Sequence, residues 1–342
     1  MFRLISIIGL VAAVGCSSKD GDDDSGFGSS TDGGVADGCE VEEVSPAYPE
    51  ADGAEFYYRG HVEFVFDGID EDATITVTDG AGGAVDGSTS WEENKLSFAP
   101  TAPLAPSTQY SATLSHCGGD STIGFMTGTL GSALDANVDL TNKTYVVDLD
   151  SARFVKPAGV GGLLLGMLEQ YILLGVTSVS DTEIQMLGAI SKSKEDENQD
   201  TCDPSINFPT AADFTTAPFF SVGPESTELS VAGISVVIND LMIAGDFASD
   251  GSYIGGAILA GLLDARDLAG VLVDNGLIED DDPNAVCELI ATFGVLCEAC
   301  TDGEDYCLSI YVDQITARES DQTLIQVDSC DAETCDEGCP EE

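Results

Sequence analysis

The side chains that could do chemistry in this chain are mainly its eleven cysteines, because histidine is nearly absent. The two histidines are His61 and His116, and we interpret both as surface or packing residues. A Ser–His–Asp or Cys–His arrangement is therefore excluded from the sequence that follows residue 116. The sequence also contains no HExxH, GxSxG, P-loop or dinucleotide-binding motif. These observations predict a protein that is not an enzyme and that needs no cofactor.

Catalysis by a pair of carboxylates stays open, because the chain has 62 acidic residues. Two places stand out: Glu169, within an apolar stretch, and the cluster Asp264-Ala265-Arg266-Asp267. We favour simpler interpretations for both. Glu169 is then a helix residue that faces water, and the cluster is an ion pair with a helix cap.

Charge and length limit the possible partners and the organisation. The 342 residues include only 11 basic ones, which gives a net charge of −51. Such a surface repels phosphate backbones, so nucleic acid is excluded as a partner. With 43% hydrophobic residues the chain can bury a core over most of its length, and the length predicts two domains.

The first sixteen residues predict export and a lipid anchor. Arg3 precedes an apolar run over residues 4–14 that is too short for a membrane span, which needs about 20 residues, so residues 1–15 are predicted to be a signal peptide. Ala13-Val14-Gly15-Cys16 resembles the lipobox of bacterial lipoproteins. The resemblance implies that Cys16 is acylated and becomes the first mature residue. Ser17 in place of Asp implies the outer membrane, with the periplasmic or surface face left open.

The other cysteines are predicted to form disulfides, because export places them in an oxidising compartment. Cys39 and Cys117 flank the first domain and are its natural pair. Cys287 and Cys297 are predicted to lie on one helix about 15 Å apart, so each is expected to bond elsewhere. A zinc cluster is the alternative for Cys297, Cys300 and the cysteines after them, but we favour disulfides and predict no metal. The disulfide candidates are Cys39, Cys117, Cys202, Cys287, Cys297, Cys300, Cys307, Cys330, Cys335 and Cys339.

Residues 16–43 are rich in Gly, Ser and Asp and predict a disordered acidic tether. Residues 44–130 then alternate between apolar and polar residues, with turn signals about every ten residues, which predicts a β-sandwich. The segment resembles the SbsA-type bacterial Ig-like domain. The resemblance is carried in order by Val44-Ser45-Pro46, Val62-Glu63-Phe64-Val65-Phe66, Ala73-Thr74-Ile75-Thr76-Val77, Leu96-Ser97-Phe98-Ala99-Pro100, Leu104 to Tyr110, and Phe125-Met126-Thr127-Gly128. It implies a spacer or interaction module without catalytic residues.

Residues 131–325 predict an α+β domain that resembles no family we know, followed by an acidic cysteine-bearing tail at 326–342. We predict strands at 144–149, 183–190, 229–247, 253–263 and 308–312, and helices at 160–176, 265–274 and from 283 onward. Asp250-Gly251 predicts a hairpin. Gly255, Gly256 and Gly261 predict sharp bending or a close approach of backbone.

The predicted fold is thus mostly β, an Ig-like β-sandwich followed by a disulfide-stapled α+β domain with an antiparallel sheet. The predicted function is that of a non-enzymatic envelope lipoprotein, attached to the membrane through Cys16, with a structural or surface-interaction role and an envelope protein or polysaccharide as partner. Two alternatives stay open. The second domain could bind a lipid or another apolar ligand between its apolar strand faces, or the protein could be a carboxylate-based hydrolase of envelope glycans.

Overall fold

The computed structural model describes residues 39, 41, 43–157, 170–208, 210–231, 234–274, 276–329 and 335. The predicted signal peptide, Cys16 and nearly all of the predicted tether lie outside these residues. Val41 is an exception, because it is buried in the core of the first module. That module therefore includes residues ahead of position 44. No helix in the described part of the chain is long and apolar enough to cross a membrane.

The first module is a two-sheet β-sandwich. Its strands are β1 (Val44–Tyr48), β2 (Gly53–Phe56), β3 (Val62–Phe66), β4 (Thr74–Asp79), β5 (Ala84–Val85), β6 (Gly87–Glu92), β7 (Lys95–Pro100), β8 (Gln109–His116) and β9 (Gly119–Thr127). One sheet has the order β1-β3-β7-β6 and the other the order β2-β9-β8-β4-β5. Apolar residues alternate along these strands, so each sheet turns one apolar face toward the other. The sandwich core is formed between these faces, with Phe64, Phe98 and Phe125 among its members.

The second module is built on one large antiparallel sheet. Its strands are β10 (Thr144–Asp148), β11 (Arg153–Lys156), β12 (Ile172–Val179), β13 (Glu183–Ile190), β14 (Ile206–Asn207), β15 (Ala212–Asp213), β16 (Phe219–Val231), β17 (Ile234–Phe247), β18 (Tyr253–Asp264) and β19 (Cys307–Ser320). The order is β14-β13-β12-β10-β19-β18-β17-β16, with β11 beside β19 and β15 beside β13. The prediction of a mostly β fold with an antiparallel sheet is confirmed.

A 3₁₀ turn (Ala265–Leu268) and two short helices, α1 (Ala269–Asp274) and α2 (Pro283–Ala291), follow β18. They pack on the same face of the sheet as the main core, through Leu268, Leu272 and Val286. A smaller core on the opposite face is closed by Leu324, which comes after the last strand. The sheet therefore has apolar cover on both faces along part of its width.

The helix predicted over 160–176 is wrong in its second half, and its first half lies outside the described residues. Ile172 begins strand β12, which continues past the predicted end of the helix. Leu174 and Val176 face the main core, whereas Leu173 faces the smaller one. A strand buried on both faces has a continuous apolar sequence, and periodicity does not distinguish such a run from a buried helix.

The long strand predicted over 229–247 is divided between β16 and β17, and the predicted hairpin at Asp250-Gly251 joins β17 to β18 as expected. The pairing of β17 shifts between Asn239 and Met242, where Asp240 has a φ of 52°. This bulge reverses the alternation, so that Ile238 and Leu241, three residues apart, both point into the main core.

Four disulfides join eight of the predicted cysteines. The predicted pair Cys39–Cys117 is confirmed, with 5.4 Å between its Cα atoms. The others are Cys202–Cys335, Cys287–Cys297 and Cys300–Cys307. Cys330 and Cys339 lie outside the described residues.

The prediction that Cys287 and Cys297 bond elsewhere is wrong, because they bond to each other with Cα atoms 5.7 Å apart. The distance argument assumed a helix that runs through both residues. Helix α2 instead ends at Ala291, and the chain reverses through a turn at Gly294, whose φ is 83°. Phe293 and Leu296, which follow the end of the helix, are 53% and 79% exposed.

Candidate binding cleft between the two modules

The contact between the modules is centred on Asp246 in β17, a carboxylate with no exposed surface. Two adjacent tyrosines in the loop between β2 and β3 donate hydrogen bonds to it. The Tyr57 hydroxyl lies 2.5 Å from Oδ2, and the Tyr58 hydroxyl lies 2.8 Å from Oδ1. Burial raises the pKa of Asp246, and the two hydroxyls act against that rise by stabilising the charged form.

Burial also raises the pKa of both tyrosines, and the Asp246 carboxylate raises the pKa of Tyr57 further. The pKa of Tyr58 rises to about 12. Both hydroxyls therefore stay protonated at neutral pH and remain donors to the carboxylate. The Asp246 carboxylate therefore accepts a hydrogen bond at each oxygen. These bonds offset the free-energy cost of removing the charge from water.

Two glycines of β18 make room for this contact. Gly256 has a φ of 57°, and a Cβ atom placed on it would lie 2.2 Å from Cε2 of Tyr57. A Cβ atom on Gly255 would lie 2.6 Å from Cδ1 of Leu130, which belongs to the linker after the sandwich. At these two glycines it is side chains of the first module and its linker that come close to the backbone of β18.

Arg153 in β11 makes the second link. Its guanidinium donates to Asp313 of β19 through Nε and Nη2, at 2.8 and 2.6 Å, and through Nη1 to Glu63 of the sandwich at 2.6 Å. The carboxylates raise the pKa of Arg153, so it stays charged. Glu63 is buried, although it points away from the sandwich core, because the second module covers that side of β3. Lys95 also lies 3.5 Å from Glu63.

Arg59 follows the two tyrosines and joins the same contact. Its Nε donates to the Tyr58 hydroxyl at 2.8 Å, and its guanidinium carbon lies 3.8 Å from the centre of the Phe219 ring on the second module. This is a cation–π geometry.

A cleft of about 560 Å³ lies beside these links, between the sandwich and the large sheet. A second lobe of about 510 Å³ adjoins it and shares Glu92, Lys95, Arg153, Val155 and Lys156 with it. The remaining side of the main lobe is lined by Tyr48, Tyr57, Arg59, Gly60, His61, Glu63, Ser90, Trp91, Ser97, Gly256, Ile258, Tyr311, Asp313 and Gln314. Each lobe has the volume of an ordinary small-molecule site, so the cleft is large enough to hold a ligand.

The cleft concentrates positive charge in a very acidic protein. Four of the chain's eleven basic residues line the main lobe, namely Arg59, Lys95, Arg153 and Lys156. None of the four was predicted as a site residue. The scarcity of basic residues in the sequence is the one signal that could have drawn attention to them.

The acidic cluster singled out in the sequence has a structural role. Asp264 accepts a hydrogen bond from the backbone N–H of Arg266 at the start of the 3₁₀ turn, and it also accepts from the Arg266 guanidinium, with Nε 2.8 Å from Oδ1. This pairing lowers the pKa of Asp264. Asp267 accepts from the backbone of Val237 at 3.1 Å. The interpretation as an ion pair with a helix cap is confirmed, whereas Glu169 lies outside the described residues.

The structure also gives the positions of the two histidines and the state of two cysteines that were considered as zinc ligands. His61 is exposed at the cleft, and His116 meets the ring of Phe66 edge-on, with 6.0 Å between the ring centres. Asp264 lies close to the sulfurs of Cys300 and Cys307. Those two sulfurs are bonded to each other, so they are not available as thiolate ligands for zinc.

The core face of the large sheet, where an apolar ligand was considered, carries a cluster of the protein's own rings. Phe247 lies within 5.0 to 6.1 Å of three other rings, measured between centres: those of Tyr145, Phe214 and Phe220. All four side chains belong to the main core.

Comparison with known proteins identifies no family. No family model matches the chain, and no curated protein matches it. Among solved structures, L,D-transpeptidase 1 of Mycobacterium tuberculosis aligns at 15% identity and a TM-score of 0.21, over 46% of this chain and 78% of that one. A DUF4784 family protein from Bacteroides caccae aligns at 9% identity and a TM-score of 0.20, over 66% of this chain and 74% of that one. Similarities at this level carry no functional argument.

Proposed function

We propose that this protein is a non-enzymatic, lipid-anchored envelope protein that acts in surface interaction, with its two modules presenting one shared cleft. The observation that carries the proposal is the buried link between the modules, formed by Tyr57 and Tyr58 on Asp246 and by Arg153 between Glu63 and Asp313. Such a link fixes the walls of the cleft relative to each other, which suits a binding surface that is held away from the membrane on a tether.

The disulfides support the location. Eight cysteines of the described residues are paired, and such bonds form and persist outside the cytosol. The anchor itself rests on the lipobox resemblance at Cys16, and several acyl chains on that residue would hold the protein stably on a membrane. The apolar-ligand and glycan-hydrolase alternatives stay predictions.

Metabolic labelling with a palmitate analogue tests the anchor. We expect the full chain expressed in a two-membrane bacterium to incorporate the label and to fractionate with the outer membrane. The Cys16→Ser variant should lose the label and leave the membrane fraction, whereas Ser17→Ala should behave as the wild type. Equal labelling of wild type and Cys16→Ser would refute the anchor.

Enzymatic activity is tested separately. We expect the purified protein to release no product from peptidoglycan or from a panel of polysaccharides, and turnover of any of them would overturn the non-enzymatic assignment.

A further inference from the structure

The cleft differs from the rest of the protein in its charge. Its main lobe holds four cations and three carboxylates, in a chain with 62 acidic and 11 basic residues. Two of the cations are already neutralised. Arg153 is held by Glu63 and Asp313, and Lys95 lies 3.5 Å from both Glu63 and Glu92.

The other two cations of the lobe are Arg59 and Lys156. Neither forms an ion pair with any residue that the structure describes, whereas Lys143, Lys194, Arg266 and Arg318 do so elsewhere on the surface. Arg59 still acts on the buried Asp246, since its charge lowers the pKa of that carboxylate and its Nε donates to the Tyr58 hydroxyl. Lys156 is exposed, so in this acidic chain it is the cation of the lobe whose charge is most available to a ligand. An anionic group placed there would gain charge-assisted hydrogen bonds in a partly enclosed site.

Aromatic and hydroxyl groups line the same lobe. Lys156 pairs with Tyr311 across the β11–β19 ladder, so the ammonium-bearing chain and the phenol ring are neighbours. Burial raises the pKa of Tyr311, which keeps its hydroxyl protonated and able to donate. Trp91 lies on β6 of the sandwich, and its buried Nε1 has no hydrogen-bond partner among the described residues.

We propose that the cleft binds an acidic oligosaccharide, with a carboxylate or sulfate group held by Lys156 and the sugar rings placed among Trp91 and Tyr311. Rings that are apolar on their faces and polar at one end suit a ligand that has both C–H faces and hydroxyl groups. A small free anion would leave these rings unused, and a lipid tail would meet seven charged side chains in the main lobe. The two adjoining lobes give room for more than one sugar ring.

This inference deepens the surface-interaction role proposed above, but its test does not depend on the anchor. A full chain that fails to be acylated retains the cleft, so absence of the label at Cys16 and absence of glycan binding are separate outcomes.

The test is isothermal titration calorimetry of the full chain with four probes: trigalacturonate, a sulfated trisaccharide, neutral maltotriose and inorganic phosphate. Physiological salt is used because it limits the repulsion from the acidic surface to about 8 Å while short contacts persist. We expect at least one of the two acidic trisaccharides to bind. Which of them binds more tightly distinguishes a carboxylate from a sulfate ligand. Maltotriose and phosphate should bind at least tenfold more weakly.

Lys156→Gln should weaken binding of the acidic trisaccharide by about tenfold or more, as expected for the loss of a charge-assisted hydrogen bond. Lys192→Gln is the matched control, because Lys192 is another exposed lysine without an ion pair among the described residues and it lies outside both lobes. It removes the same charge and should leave the affinity unchanged.

Tyr311→Phe keeps the ring and removes the hydroxyl, and it should weaken binding with no loss of thermal stability. Failure of both acidic trisaccharides to bind would overturn the proposal. So would equal binding of phosphate or maltotriose, or an equal loss of affinity in Lys156→Gln and Lys192→Gln.

Discussion

Gly256→Ala is expected to separate the two modules. The added Cβ would lie 2.2 Å from Cε2 of Tyr57, where ordinary contact begins at 3.4 Å. The ring would have to move by more than an ångström. It is not free to do so, because its hydroxyl is held 2.5 Å from the buried Asp246 carboxylate.

The expected loss of stability in Gly256→Ala has two contributions. A non-glycine residue in the left-handed region costs about 1 kcal/mol, and forcing extra atoms into a packed contact costs about 1–3 kcal/mol. Gly256→Ala should therefore lower the free energy of unfolding by about 2–4 kcal/mol. Gly276→Ala is the matched control, because Gly276 has a φ of 69° and no atom within 4 Å of the position of a Cβ. Gly276→Ala should lower the free energy of unfolding only by the backbone contribution, about 1 kcal/mol.

Scanning calorimetry and urea unfolding would measure both variants. We expect one joint transition for the wild type and two for Gly256→Ala, since the sandwich and the sheet lose their shared contact. Adding Tyr57→Ala to Gly256→Ala removes the ring that clashes, so the glycine substitution should cost only about 1 kcal/mol in that background. Equal destabilisation by Gly256→Ala and Gly276→Ala, or no relief in the Tyr57→Ala background, would refute the reasoning.

Two further predictions concern the same interface. Arg153→Met should lower the free energy of unfolding by about 2 kcal/mol in urea titrations, because the half-buried Asp313 loses its cation and the buried Glu63 keeps only Lys95, at 3.5 Å. Arg318→Met, which breaks an exposed pair, should cost less than about 1 kcal/mol, and similar losses for both would contradict this account. The second is a fall in stability as the pH rises between 10 and 12. The pKa of Tyr58 is raised from 10.0 to about 12, so the unfolded chain loses this proton first and ionisation favours unfolding. Urea unfolding across this pH range would measure it. Tyr58→Phe should make the dependence less steep without abolishing it, because burial also raises the pKa of Tyr57 and of Tyr311, and an unchanged slope would contradict the role of Tyr58.

Much of the local structure followed from sequence. Alternation of apolar and polar residues predicted the strands, and Asp250-Gly251 predicted the hairpin, because both signals act between neighbouring residues. The Cys39–Cys117 bond was also predictable, since the two cysteines flank one module. The strand at Ile172 was missed because burial on both faces removes the alternation. The Cys287–Cys297 bond was missed because the end of helix α2 depends on a turn that its apolar stripe does not show.

The candidate site could not be predicted from the sequence. Tyr57 and Asp246 are 189 positions apart, and each alone is an ordinary residue in an ordinary strand or loop. Sequence by itself determined the alternation that builds two sheets and the cysteines that staple them. Only the tertiary structure decided that the sandwich packs against β17 and β18, because that contact depends on side chains brought together by folding and on a glycine small enough to admit a tyrosine ring.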